Sequence, residues 1–407
     1  MKCALGIAMG IAGISALTGC SAGTAEQTGG EVVGSQLAAL TSLVTASSLQ
    51  RGTRHDYNGD GKEDIIFYNS SGSYLYLGAA PNGWTGDAWV RHDLTPTNTS
   101  YAAGDFNGDG KTDLIITTAG GSYEYTGRSD GGFNPDVWVS NTLTFGNVAF
   151  TVGDFNGDGK TDFIATTSTG SYLYTGKGGA TGGFNANVWA NTALKMGDAK
   201  FTPGNFDSDA TTDFIVSLQT GSREYTGKTG AGGFNANVWT NATLNTGTLA
   251  LFFTVGNFNG AGPDDFIVQK EDGAFLYTGK ATGGFNSNVW SDPEYAVTGS
   301  GILAGNFDGI GGADIIVQNG TAALERVWIG NSFSSSLWGD SRYGNFYDAF
   351  LRRGDFNGDG MDDLLSATRD NSPLPDGTNE HTGRLNGGFD ATVWTRSDLF
   401  MGDIVIF

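Results

Sequence analysis

Apolar residues along this chain come in short bursts, separated by polar, glycine-rich stretches. Runs such as Leu114-Ile-Ile-Thr-Thr118 and Phe214-Ile-Val216 are brief, β-branched and glycine-bounded, so they read as buried strands. Each is preceded by another apolar stretch, as in Val148-Ala-Phe-Thr-Val152. Each is followed by strict alternation, as in Ser122-Tyr-Glu-Tyr-Thr126, where two tyrosines share one strand face and Glu124 takes the other. After a glycine-rich turn a last segment carries Val-Trp: Val137-Trp138, Val188-Trp189, Val238-Trp239, Val289-Trp290 and Val393-Trp394. The pattern predicts units of four strands with no helical period.

Between the first two apolar stretches of each unit lies an acidic loop. Its first position is Asp56, Asp105, Asp154, Asn205, Asn257, Asn306 and Asp355, at spacings of 49, 49, 51, 52, 49 and 49 residues. A period near 50 marks a solenoid or a propeller, and seven four-stranded units predict an all-β, seven-bladed β-propeller. A propeller must join its last blade to its first or leave sheet edges open. The C-terminus, Met401-Gly-Asp-Ile-Val-Ile-Phe407, resembles Met196-Gly-Asp-Ala-Lys-Phe201, which begins a repeat. It is therefore expected to complete the blade that begins near Asp56, with Leu49–His55 the competitor for that place.

The loop reads Gly-Asp-Phe-Asn-Gly-Asp-Gly-Lys-Thr-Asp at residues 104–113 and again at 153–162. Numbered from its first Asp, it offers side-chain oxygens at positions 1, 3, 5 and 9 and a backbone carbonyl at 7, with glycines at 4 and 6. Calcium takes six to eight oxygen ligands, and glycine permits the positive φ that curls a chain around an ion. Four loops are intact: Asp56/Asn58/Asp60/Asp64, Asp105/Asn107/Asp109/Asp113, Asp154/Asn156/Asp158/Asp162 and Asp355/Asn357/Asp359/Asp363. The fourth repeat, Asn205/Asp207/Asp209/Asp213, keeps three carboxylates and is expected to bind, more weakly. The fifth and sixth have Ala261 and Ile310 at position 5 and are expected to be empty. The expectation is four or five calcium ions. These are not EF-hands, because position 12 is Phe67 or Ile116 rather than Glu and strands flank the loop.

Repeated at this period, the decapeptide resembles the FG-GAP/VCBS repeat family, which includes the propeller of integrin α subunits and certain propeller lectins. The resemblance covers about residues 50–407. It implies seven blades, calcium in the loop between a blade's first two strands, and binding of glycans or proteins rather than one fixed ligand.

Composition narrows the function. The net charge of −21 argues against a nucleic-acid partner. At the N-terminus Lys2, an apolar stretch Cys3–Leu17 and Leu17-Thr-Gly-Cys20 read as an export signal. Leu-Thr-Gly-Cys resembles a bacterial lipobox, which implies acylation of Cys20 and anchoring at the cell envelope. Ser21 after the Cys looks like the outer-membrane sorting pattern. The expected division is signal peptide 1–19, flexible tether 20–48 and propeller 49–407. No cysteine follows Cys20, so the exported body has no disulfides and calcium is expected to act as its staple.

One Trp per repeat (Trp89, Trp138, Trp189, Trp239, Trp290, Trp338, Trp394) is expected to pack between blades. The segments Gly132-Phe133-Asn134, Gly183-Phe184-Asn185, Gly233-Phe234-Asn235, Gly284-Phe285-Asn286 and Gly388-Phe389-Asp390 pair aromatic faces with amides or a carboxylate, a combination that also suits sugars. Catalysis finds little support. His55 adjoins a calcium loop, His92 and His381 read as turn residues, and Gly339-Asp-Ser341 is a weak match to an esterase turn. The reading is a monomeric, calcium-stabilised surface module with lectin-like recognition of carbohydrate and no enzymatic activity. Integrin-like protein adhesion is the alternative, and a polysaccharide-active enzyme the third.

Overall fold

The computed structural model describes residues 55–407, other than 80, 82, 180–181, 231, 247–250, 298–299, 331, 345–348, 369–376, 386, 391, 397–404 and 407. The expected signal peptide and tether, Cys20 and residues 49–54 lie outside the described residues. Among the described residues no helix is long and apolar enough to cross a membrane.

The chain forms seven four-stranded antiparallel sheets, the blades of a propeller. Six blades are simple meanders in sequence order. In blade two the inner strand Ser100–Gly104 leads through the acidic loop into Asp113–Thr118, then Gly121–Gly127, then the outer strand Phe133–Ser140. Blade one takes its inner strand from the C-terminus. Val405–Ile406 pairs antiparallel with Ile65–Asn69, placing Phe67 opposite Ile406 and Tyr68 opposite Val405. The inner strand that begins at Lys200 follows Met196 by the same interval at which Val405 follows Met401, as the sequence match predicts. The C-terminus therefore wins the place for which Leu49–His55 competed.

The second strand is buried along nearly its whole length because adjoining blades cover both faces, which is why it reads as a continuous apolar run. Outer strands carry a bulge. Asp87, Asp136, Asn187, Asn237 and Asn288 adopt φ of 54° to 59° there, a left-handed conformation that Asn and Asp tolerate better than other non-glycine residues.

Each repeat Trp packs across a seam, edge-on against an aromatic ring of the next blade, in four of the seams the Phe of a Gly-Phe-Asn segment. Ring centroids are 5.2 Å apart for Trp89–Phe133, 5.0 Å for Trp138–Phe184, 5.0 Å for Trp189–Phe234 and 5.1 Å for Trp239–Phe285. Trp290–Phe333 and Trp338–Phe389 are each at 5.0 Å, and Trp394–Trp84 at 6.3 Å closes the ring. The expected packing role of the tryptophans is what the structure has.

Candidate functional site: acidic loops and interblade seams

The loop glycines do what a tight curl needs: Gly108 and Gly110 have φ of 76° and 85°. The loop then folds its amides onto its own side chains. Asp105 Oδ1 accepts from Gly108 N (2.7 Å) and Asp109 N (3.0 Å), and Oδ2 from Gly110 N (2.8 Å). Asp113 accepts from Phe106 N and Gly127 N, which ties the loop to the third strand of its blade. The loops beginning at Asp56 and Asp154 repeat the position-1 bonds.

Positions 3 and 5 face each other within the loop. At position 3 the side-chain oxygens of Asn58, Asn107, Asn156 and Asn357 each accept from the position-5 amide two residues on, at 2.8 Å from Asp60 N, Asp109 N and Asp359 N and 2.9 Å from Asp158 N. The Nδ2 groups of Asn156 and Asn357 donate to Asp158 Oδ2 at 3.3 Å and to Asp359 Oδ2 at 3.1 Å. The position-5 carboxylate is further engaged by position 7. Lys62 reaches Asp60 at 2.7 Å, Lys111 reaches Asp109 at 2.8 Å and Lys160 reaches Asp158 at 2.6 Å. In the last loop position 7 is a methionine, and Asp359 Oδ1 accepts from Met361 N at 2.9 Å.

Position 9 is the buried end of the loop. Burial pushes Asp113, Asp162, Asp213, Asp314 and Asp363 up to about 8, and Asp64 and Asp265 to about 7, with neighbouring carboxylates adding to the shift in each. Such a carboxylate is poised to gain from a cation.

The loops differ as candidate cation sites, and the sequence reading ranks them by ligand type. That reading puts the four complete loops first: Asp56/Asn58/Asp60/Asp64, Asp105/Asn107/Asp109/Asp113, Asp154/Asn156/Asp158/Asp162 and Asp355/Asn357/Asp359/Asp363. Among the described residues the carboxylates that gather are instead those of the fourth repeat, where oxygens of Asp207, Asp209 and Asp213 lie within 4.8 Å of one another. Asn205 Oδ1 beside them is buried without a hydrogen-bond partner. Local chemistry explains the difference. In the first three loops a lysine at position 7 pairs with Asp60, Asp109 or Asp158, whereas Thr211 fills that place in the fourth repeat and brings no positive charge. In the last loop the Asn357 amide stands between Asp359 and Asp363, donating to both. In the fourth loop position 3 is a carboxylate, Asp207, rather than an amide. Asn257 Oδ1 and Asn306 Oδ1, at position 1 of the fifth and sixth loops, are also buried without partners, but Ala261 and Ile310 offer no ligand atom at position 5.

The loops are chained. The position-8 amide of each loop donates to the position-1 carbonyl of the loop before it: Thr112 to Asp56, Thr161 to Asp105, Thr212 to Asp154, Asp264 to Asn205, Ala313 to Asn257 and Asp362 to Asn306, at 2.6 to 2.8 Å. Glu63 to Asp355 at 2.9 Å closes the ring. Three position-8 carboxylates add a second bond, Asp264 accepting from Asn205 N, Asp362 from Asn306 N and Glu63 from Asp355 N.

A second constellation is absent from the sequence reading. Glu124, on the strand face opposite Tyr123 and Tyr125 as the alternation predicts, is fully buried, as are Glu224, Glu325 and Glu380. Each accepts a hydrogen bond from the glycine before the aromatic of the next blade: Gly183 N at 2.7 Å, Gly284 N at 2.7 Å, Gly388 N at 2.6 Å and Gly83 N at 3.4 Å. The second oxygen of each is buried without a partner. Burial pushes all four up to about 7. The signal lies in one repeat column, where glutamate in blades two, four and six alternates with leucine. Leu75, Leu173 and Leu276 hold that column in blades one, three and five.

The histidines stay outside both constellations. His55 is lowered to about 4 by burial and then by Arg352. His92 lies in a turn. His381 corrects the sequence reading: it ends a buried strand, Thr378–His381, rather than a turn, with Nε2 at 3.2 Å from the Tyr343 hydroxyl.

Seven four-stranded blades with a ring of acidic loops define a repeat propeller. The chain carries FG-GAP-like repeats: residues 56–116 and 105–165 match that family. No curated protein matches the chain in sequence. Among solved structures, it is similar to an Agrocybe aegerita lectin described by its specific recognition of non-reducing terminal N-acetylglucosamine. That likeness has a TM-score of 0.64 and 14% identity and covers 85% of this chain and 95% of the lectin. A Lactobacillus plantarum protein aligns with a TM-score of 0.55 and 11% identity, over 85% of this chain and 98% of its own. At these identities the likeness is one of fold.

Proposed function

We propose that this protein is a calcium-stabilised, envelope-anchored binding module that recognises carbohydrate in the manner of a lectin. The observation that carries the reading is the repetition of one aromatic and amide construction around the ring. At each of four seams a half-buried Trp meets a Phe whose neighbouring Asn (134, 185, 235 or 286) is exposed on the outer strand. Aromatic faces stack on sugar CH groups while amides bond hydroxyls. Several weak equivalent sites on one rigid body gain avidity on a polymeric or surface-displayed ligand. The propeller shared with a fungal lectin supports the reading.

In this reading calcium is structural. The side chains at positions 1, 3, 5 and 9 of the loops starting at Asp56, Asp105, Asp154, Asn205 and Asp355 hold the ion, and its binding offsets the charge crowded there. In the first three loops the ion takes the place of the lysine on Asp60, Asp109 and Asp158. In the last it takes the place of the Asn357 amide on Asp359. The export signal and Cys20 keep the body outside the cytoplasm on a lipid anchor.

The test is a glycan array with residues 31–407, run with calcium and again with chelator. Calcium-dependent binding to a defined sugar is expected. A blank array from folded, calcium-loaded protein overturns the lectin reading in favour of protein adhesion, which pull-down from intact cells then measures.

A further inference from the structure

The face that carries the acidic loops is not uniformly charged. Position 5 of the loop is Asp in five repeats but Ala261 and Ile310 in the fifth and sixth. Position 7 is Lys62, Lys111 and Lys160 in the first three loops and Pro263, Gly312 and Met361 in the last three. The turn between the third and outer strands follows the same trend. Arg128, Lys177, Lys280 and Arg384 close it, each donating its amide to a glycine carbonyl, whereas in blade six Ile329 closes it on Ser332. These turns lie against the loops: Gly179 N donates to Asn107 O and Gly230 N to Asn156 O, in the loop of the blade before.

The result is an apolar sector over blades six and seven. Ile310, Ile329 and Leu385 are 50%, 61% and 65% exposed, the three most exposed large apolar side chains among the described residues. Leu385 lies beside the sixth loop. A Cβ added at Gly309, next to Ile310, would stand 3.1 Å from Met361 Cγ and 3.6 Å from Leu385 Cδ1. Phe333, which ends the turn of Ile329, packs on the fifth loop, its ring 5.9 Å from that of Phe258. An exposed apolar patch rimmed by polar residues marks a docking surface.

The chain itself supplies an occupant. Residues 32–50 hold four leucines, three valines and no charged residue. Ser35 is a helix N-cap type, and Leu37, Leu40 and Val44 follow at i, i+3 and i+7 with Leu43 beside them, the stripe of a short amphipathic helix. A helix that short is marginal alone and needs a surface for its stripe. An uncharged segment matches the sector from which the loop charges have gone. A bilayer matches less well, because the other loops of this face carry carboxylates that an anionic headgroup surface repels.

The point of entry favours the same sector. The His55 carbonyl accepts from Asp64 N at 2.7 Å, so His55 holds the place that Gly104 holds opposite Asp113 in blade two. That is the loop end of the inner strand, whose other end Val405–Ile406 fills. The residues before His55 therefore join the propeller at its loop face. Blade seven is the neighbour there, through Glu63 N on Asp355 O at 2.9 Å. The 11 residues from Val44 to His55 reach up to about 40 Å when extended, and packed sheets stand about 10 Å apart, so blades six and seven are within reach.

We propose that residues 35–46 dock as an amphipathic helix on the apolar sector of Ile310, Ile329, Met361 and Leu385. The docking holds the N-terminal side of the chain against the loop face and leaves the opposite face and the outer strands open to ligand. It stands without the lipid anchor; with Cys20 acylated as proposed above, it also turns the loop face toward the membrane.

The experiment uses the full exported chain, loaded with calcium. No cysteine follows Cys20, so engineered pairs have no competitor in the body. Leu40→Cys with Leu385→Cys is expected to form an intrachain disulfide on mild oxidation. Leu40→Cys with Val139→Cys, an equally accessible site on the outer strand of blade two, is expected to form none. A protease that cuts beside leucine is expected to cleave residues 32–50 at least about tenfold faster in Ile329→Ser/Leu385→Ser than in the wild type, as the loss of two apolar contacts implies. Equal disulfide yields in the two pairs, or equal cleavage rates, overturn the proposal. A disulfide-linked dimer also overturns it and assigns the sector to a second copy. Flotation on phosphatidylcholine vesicles that weakens in the serine variant while cleavage stays unchanged overturns it in favour of a bilayer.

Discussion

Glu224 and Leu276 occupy the same column of successive blades, yet one brings a carboxylate and the other a hydrocarbon to the same kind of seam. The carboxylate has a pH consequence. Its folded value of about 7 lies above the 4.5 of an exposed glutamate, because burial disfavours the charge. Between those values the native state holds more protons than the unfolded chain, so stability falls as pH rises through this window. Glu124 and Glu325 shift the same way. The position-9 aspartates do so too, so the test is a difference. The unfolding free energy of the wild type should fall between pH 5 and pH 8 more steeply than that of a Glu124→Leu/Glu224→Leu/Glu325→Leu variant, by on the order of several kcal/mol in total, as read by chemical unfolding. Parallel profiles would contradict the placement. The seam tryptophans carry a plainer expectation. Trp239→Ala removes the ring that meets Phe285 at 5.1 Å and should cost about 3–5 kcal/mol in chemical unfolding, whereas Trp239→Phe should cost less.

The acidic loop and the strands beside it were legible because their chemistry is local. Positions 1 to 9 lie within nine residues, and the glycines, the apolar run and the Val-Trp segment are read directly from the chain. How each loop's side chains engage one another was not legible. Residue types alone make Asn58, Asn156 and Asn357 ligands, but whether their amides and the position-7 lysines engage the position-5 carboxylates is a matter of geometry. What joins one loop to the next is about 50 residues away and was hidden as well: the backbone bond from Thr161 to Asp105, or the carboxylate of Asp362 on the amide of Asn306. Burial of Glu124 was hidden for a related reason. Alternation places it opposite the tyrosines, but only the packing of the next blade makes that face an interior. His381 was misread because the turn-rich residues around it lie beside a strand that pairing alone defines. The loops carry their own expectations. Calorimetry should find four or five calcium ions, and chelation should lower the melting temperature strongly, since an ion bound only by the native state stabilises it by mass action. Ile310→Asp restores the position-5 carboxylate beside Asn306, Asp308 and Asp314 and should raise the stoichiometry by one. An unchanged count would mean that position 5 does not decide occupancy.

At the scale of the whole molecule, closure is the one element that no repeat supplies for itself. Seven similar blades give each seam the same Trp-aromatic contact, but the last seam must join blade seven to a blade whose strands come from both ends of the chain. Several contacts hold it: Val405–Ile406 paired with Phe67 and Tyr68, the Glu63 amide on the Asp355 carbonyl, the Gly83 amide on Glu380, Arg396 on the Tyr76 hydroxyl, and Trp394 against Trp84. The first is the one that a truncation removes cleanly. Without residues 401–407 the strand Ile65–Asn69 becomes an unpaired inner edge, its amides and carbonyls lose their ladder partners, and the chain ends no longer confine the ring. Loss of this strand releases a whole-chain loop rather than a local one, so its effect should exceed that of removing any single seam tryptophan. Deleting residues 401–407 is expected to lower the melting temperature well below that of Trp239→Ala, and to raise the tendency of the protein to self-associate through the exposed edge. Both are read by thermal melting and sedimentation. An unchanged melt with a monomeric profile would mean that the other contacts close the ring unaided.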